Sequence, residues 1–246
     1  MFSSATRHLA CCVFLLLPAS GARATDVPSY HYDQQSTGQD VTEPALTSSS
    51  VVPASFGKRW TRLTDGYVYA QPLYVEGVQI TQGAKTAVHN TLFVATEHDT
   101  LYALDAATGA VLWTCSLRTN GLPGAVLITA VPSKDVDTPD LVPEVGITGT
   151  PVIDQPGGYI YVAAKTKQLF HHNPYPRYVY TLFKISIGTG AIAASHIIAA
   201  TYMDDYGYEY QAAADPAAAQ DPFVFGDGDG FPVLGMDRFR RRSLRA

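Results

Sequence analysis

An all-β fold built from two copies of one strand meander is predicted by three features of this sequence. Short segments rich in β-branched and aromatic residues recur without a helical period, tight Gly-containing turns separate them, and the same order of segments appears twice. The clearest copy is residues 91–115, TLFVATEHDTLYALDAATGAVLWTC. In it TLFVATE and TLYALDA read as strands broken at Glu97-His98-Asp99, and Ala107-Thr108-Gly109 turns the chain into AVLWTC. Ala103, Asp105, Thr108, Gly109 and Trp113 stand at spacings with a physical logic. Gly109 takes positive φ without a Cβ clash, Asp105 and Thr108 bond the turn backbone, and the Trp113 indole wedges against a neighbouring sheet.

The remaining elements follow in chain order. Residues 1–24 carry Arg7 and His8, an apolar run at 9–17 and then Ala22-Arg23-Ala24, the pattern of a secretory signal peptide. The run is well short of the ~20 residues that span a bilayer, so no membrane span is expected and the chain reads as secreted or periplasmic. Cys11 and Cys12 fall in that segment, which leaves Cys115 alone afterwards and no intramolecular disulfide. Residues 25–55 are a polar lead-in. FGKRWTRL at 56–63 is the first expected strand, followed by YVYAQPLYV at 67–75, a short strand at 78–81 and a polar loop at 82–90.

After the 91–115 unit, residues 118–146 read as a long Pro- and Gly-containing loop. Strand character then resumes in the same order, with ITGTPVID at 147–154, YIYVAAKT at 159–166 and VYTLFKIS at 179–186. Pro151 follows Pro72 by 79 residues, and Gly190 follows Gly109 by 81. The repeat units therefore span about 67–117 and 147–199, inside a folded body at 56–200. Insertions at 118–146 and 167–178 stretch the period beyond the ~40–45 residues of a propeller blade. Short strands, Gly-rich turns and a fixed repeat order predict a radial array, a partial β-propeller of about two blades. Residues 201–246, acidic and then arginine-rich, fall outside it.

Charge narrows the partners. Residues 25–235 hold ten of the 17 Lys and Arg but 21 of the 22 Asp and Glu, a net charge of −11. A body that acidic argues against nucleic acid or an anionic membrane and leaves a protein or a small ligand.

The run Ala103-x-Asp105-x-x-Thr108-Gly109-x-x-x-Trp113 resembles the tryptophan-docking repeat of the quinoprotein family, the propellers related to pyrroloquinoline quinone (PQQ) dependent alcohol dehydrogenases. The second copy keeps Thr189 and Gly190 but has Lys184, Ser186 and Ala194 where the motif has Ala, Asp and Trp. The resemblance implies blades of four antiparallel strands and, in the family's enzymes, PQQ with a calcium ion, a catalytic aspartate and a stacking tryptophan. None of those catalytic residues maps onto this chain by motif, and the same repeat occurs in non-enzymatic relatives, including outer-membrane assembly lipoproteins. The expectation is a binding or scaffolding module, the alternative being a fragment or divergent member of a PQQ-dependent dehydrogenase. Because two blades do not close a ring of four to eight, the chain reads as part of a longer, truncated propeller, or as one that completes its ring by self-association.

Several residues are candidates for chemistry. Glu97, His98 and Asp99 place three titratable groups on one turn, where Asp99 is a natural turn former and solvation is the expected fate of all three. His171-His172 is a candidate for zinc only with a third ligand. Asp227 and Asp229 start like a calcium loop, but Phe231 stands where a third oxygen is needed. Asp204, Asp205 and Glu209 among tyrosines suit a cation or a carbohydrate but read as a solvated acidic segment. No Gly-rich phosphate loop, G-x-S-x-G elbow or zinc-protease motif occurs.

Overall fold

The computed structural model describes residues 25–33, 35–41, 43, 46–54, 56–203 and 209–211, and these form an all-β chain. β1 (Leu73–Gln82), β2 (Lys85–Ala95), β3 (Thr100–Asp105) and β4 (Val111–Ser116) pair in sequence order as an antiparallel meander, sheet A. Then come β5 (Ala125–Pro132), a 3-10 turn at Ser133–Asp135 and β6 (Glu144–Val145). A second meander follows, from β7 (Val152–Asp154) through β8 (Tyr159–Phe170) and β9 (Asn173–Ser186) to β10 (Ile192–Met203). With β5, β6 and β11 (Glu209–Gln211) it makes the larger sheet B.

The two meanders share one register. Thr91 pairs with Asp105 and Ala103 with Trp113 in sheet A, as Tyr159 pairs with Ser186 and Lys184 with Ala194 in sheet B. Their β3–β4 and β9–β10 turns match bond for bond. Gly109 N–H donates to Asp105 O at 2.8 Å and Gly190 N–H to Ser186 O at 2.9 Å. Asp105 N–H donates to Ala110 O at 2.8 Å and Ser186 N–H to Ala191 O at 2.9 Å. Both glycines have positive φ, 70° and 72°. The second turn lacks the aspartate but keeps its shape, so glycine and threonine with the backbone ladder are enough to form it. This is the partial, propeller-like all-β architecture that the repeats predict.

Several segments differ from expectation. The strands expected at 67–75 and 78–81 are the single β1, which starts at Leu73 and is interrupted only by a register shift between Val75 and Val78, and of the strand expected at 147–154 only Val152–Asp154 pairs. Residues 56–63 pair with no described strand, because Trp60 is drawn off to the side of sheet A instead. The polar stretch 82–90 is a tight hairpin, Gln82 opposite Lys85 with Gly83 at φ 59°, and its exposed side chains are tolerated on a two-stranded ribbon that leaves both faces open. The long loop at 118–146 contains β5 and β6. Its β5 pairs with the other insertion, Ile128 opposite Gln168 and Thr129 opposite Lys167, so each insertion satisfies backbone groups of the other. Finally, β10 runs past residue 200 to Met203 and pairs with β11.

The core lies between the sheets. Leu73, Phe93, Leu101 and Trp113 of sheet A meet Ile160, Val162, Phe183 and Ile185 of sheet B, with Ile147 from the connection. Fully burying side chains of this size stabilises by about 1.5–3 kcal/mol each. The lead-in contributes a stitch: Val27 bridges Tyr74 of sheet A, and Pro28 O accepts from Ile153 N–H of sheet B at 2.8 Å. Among the described residues no helix is long and apolar enough to cross a membrane.

Candidate functional site

In an antiparallel meander the β1–β2 and β3–β4 turns share one end of a sheet and the β2–β3 turn lies at the other. The predicted motif residues gather at the first end. Asp105 Oδ1 accepts from the backbone N–H of Ala107 at 3.1 Å and of Thr108 at 2.9 Å, and from the Thr108 hydroxyl at 2.8 Å. Its Oδ2 meets His89 Nδ1 at 2.8 Å. The His89 bond, followed by those from Thr108, holds the Asp105 carboxyl below the usual aspartate range.

The turn thus built is a seat for an indole. A Cβ on Gly109 would come within 2.5 Å of Trp60 Cε3, so the ring lies directly on the glycine, while Trp60 Nε1 donates to Ala106 O at 3.0 Å. Arg62 Nε adds a bond to Gly109 O at 2.8 Å. The same arrangement recurs one repeat on. Trp113 lies on Gly190, where a Cβ would stand 2.7 Å from Cε3, and its Nε1 donates to Ile187 O at 3.0 Å. Each tryptophan therefore belongs to one unit and docks on the turn of the next. Sequence reasoning found Trp113 and missed Trp60, although both tryptophans are followed by threonine, at 61 and 114.

At the opposite end, Glu97-His98-Asp99 departs from the solvated turn that was expected. Glu97 and Asp99 are fully buried, and only His98 faces outward. The turn is closed by Asp99 N–H donating to Thr96 O at 3.1 Å, with Asp99 at φ 55°, a conformation that aspartate tolerates. Asp65 caps it, accepting from Thr96 Oγ1 at 3.0 Å and Thr100 Oγ1 at 2.6 Å. Glu97 Oε2 accepts from Gly146 N–H at 2.7 Å and from Thr148 Oγ1 at 3.0 Å, tying sheet A to the segment that enters sheet B. Glu97 Oε1 and both Asp99 carboxyl oxygens are buried and have no hydrogen-bond partner.

Arg118 Nη1 donates to His98 Nε2 at 2.6 Å, and guanidinium has no acceptor, so Nε2 carries the lone pair and Nδ1–H donates to Glu144 Oε1 at 2.7 Å. Burial pushes the Asp99 carboxyl well above the usual range; Arg118 opposes this, and the charges of Glu97, Glu144 and Asp65 add to it. Burial also raises Glu97, against the bonds from Gly146 and Thr148. A carboxyl with no exposed surface cannot touch a substrate, so these two acids act on the seam between the sheets.

An outcome follows for pH. Folded Asp99 holds its proton more tightly than the unfolded chain does, so stability falls as pH rises from the ordinary aspartate value of about 4 through the raised one. Asp99→Asn is expected to raise the melting temperature at neutral pH and to flatten that fall, asparagine also accepting the positive φ. Thermal melts across pH compare the two proteins; parallel curves would remove Asp99 from the account.

The other candidates do not converge. His171 and His172 are the exposed tip of the β8–β9 hairpin, with ring centroids 6.3 Å apart and planes tilted by 50°. Among the described residues no three His, Cys, Asp or Glu side chains are placed to share a metal ion. Cys115 is a free buried thiol, its pKa pushed up to about 11 by burial, and is correspondingly unreactive. Residues 1–24, expected to be a signal peptide, together with Asp204, Asp205, Asp227, Asp229 and the arginine-rich end, lie outside the described residues. No protein-family model matches this chain, and no curated protein matches it.

Proposed function

We propose that this chain is an exported, quinoprotein-like propeller segment that works as a non-catalytic binding or scaffolding module. The observation that carries the reading is the repeated dock, Trp60 on the turn at Gly109 and Trp113 on the turn at Gly190, each with its indole over the glycine and its Nε1 bonded to a carbonyl of the turn. All five motif residues serve that packing. The titratable cluster at the other end supports the same reading, since Glu97 spends its carboxylate on Gly146 and Thr148 of the adjoining segment. With both ends of sheet A taken up by structural bonds, the arrangement suits a frame on which a partner assembles.

The test is a pair of measurements on the full chain. With PQQ and calcium added, dye reduction on a panel of alcohols and aldehydes is expected to stay at the protein-free rate, and an absorbance titration is expected to show no saturable uptake of PQQ. Saturable uptake with turnover would replace the scaffold by a quinoprotein dehydrogenase fragment.

A further inference from the structure

The shared register allows each residue of sheet A that faces sheet B to be matched to its counterpart on the outward face of sheet B. Phe93, Ala95, Leu101, Ala103 and Trp113 form the buried A face, and the strand pairings put Tyr161, Ala163, Leu182, Lys184 and Ala194 in the same places. Two of these exchanges reverse the chemistry of docking. Ala194 brings no indole to seat on a further turn. Lys184 stands where Ala103 leaves room beside the tryptophan, and its Nζ lies 4.1 Å from the Tyr159 ring centroid and 5.9 Å from that of Tyr161. Lys165 repeats the arrangement 5.1 Å from the Tyr180 centroid.

A lysine over two tyrosine rings is favourable at a hydrated surface. Under a third sheet with an inward face like that of sheet B, made of residues such as Ile160, Val162, Phe183 and Ile185, it would lose its water and meet no ionic partner, a cost that an apolar interface does not return. Repeat arrays end in units with a polar outer face, and sheets protect themselves with inward-pointing charge.

We infer that sheet B is the closing blade of this stack, and that Lys184, set over Tyr159 and Tyr161, shuts its outward face to a further blade or a second copy. Ring completion by self-association through that face is thereby closed. The inference rests on register and side-chain chemistry and stands apart from the PQQ reading.

Light scattering over a range of concentrations tests it, with circular dichroism confirming that each variant folds. Wild type and Ala163→Arg, which places a charge on the exposed centre of this face, are expected to have the same mass at every concentration. Lys184→Ala is expected to gain mass with concentration, reaching at least twofold, while Lys184→Arg, which keeps the cation over the rings, does not. A lower mass for A163R than for wild type would show that the face is already an interface and overturn the proposal. So would a K184A variant that stays at the wild-type mass, or a K184R variant that associates as K184A does.

Discussion

Gly146→Ala is expected to destabilise the protein by about 3–5 kcal/mol, the sum of an overpacked seam and a lost bond to a buried carboxylate. A Cβ at this position would collide with the carbonyl oxygen of Glu97 and stand 2.6 Å from Asp99 Oδ1. Neither atom can retreat cheaply. The carbonyl belongs to the turn that Asp65 and the Thr96–Asp99 bond hold in place, and the carboxyl is enclosed on all sides. The backbone of residue 146 must move instead, which breaks the 2.7 Å bond from Gly146 N–H to Glu97. Denaturant unfolding of the variant beside wild type gives the difference directly. A loss under about 1 kcal/mol would mean that the two sheets slide past each other without cost, contrary to the rigidity of a packed interior.

Trp113→Ala is expected to cost a similar amount, about 3–5 kcal/mol, as for other large aromatic truncations in cores. The indole meets Phe93 at 5.8 Å between ring centroids, covers Gly190 and donates to Ile187 O, so its removal leaves a void and an orphaned carbonyl between the sheets. Trp113→Phe separates the contributions. It keeps most of the packing and loses the Nε1 bond, and is expected to recover more than half of the loss. Set against a typical domain stability of 5–15 kcal/mol, the alanine variant is near the limit of folding at all. An alanine variant with wild-type unfolding would show that the dock is ornamental, and the scaffold reading would lose its main support.

What was legible from the residues and what was not divides along a physical line. The turn at 105–109 was readable because all its actors are local: Asp105, Thr108 and Gly109 bond one another within five residues. The role of Trp60 escaped notice because its seat lies 46 residues away on Ala106, and its own segment reads locally as a strand although it pairs with no described one. The pairing of the insertions at 118–146 and 167–178 was hidden for a different reason, since AVLITAVP at 125–132 has a strand's composition but stands among glycines and prolines, and the edge it pairs with lies about forty residues further along the chain.

Glu97 and Asp99 mark the sharpest difference. On local grounds a Glu-His-Asp turn belongs in water, and its shape is indeed the one that local chemistry favours, closed by Thr96 and Asp99. Its burial is decided elsewhere, by Gly146 and Thr148 arriving about fifty residues later in the chain.

By itself, then, the sequence determined that this protein is a repeated antiparallel meander and determined the form of its docking turn, because strand alternation and positive-φ glycine act over a few residues. Which tryptophan meets which turn, which carboxyls lie in the seam and which face is capped by lysine were decided only when the two sheets came together. Those outcomes depend on desolvation and contact between segments whose separation along the chain leaves no local trace.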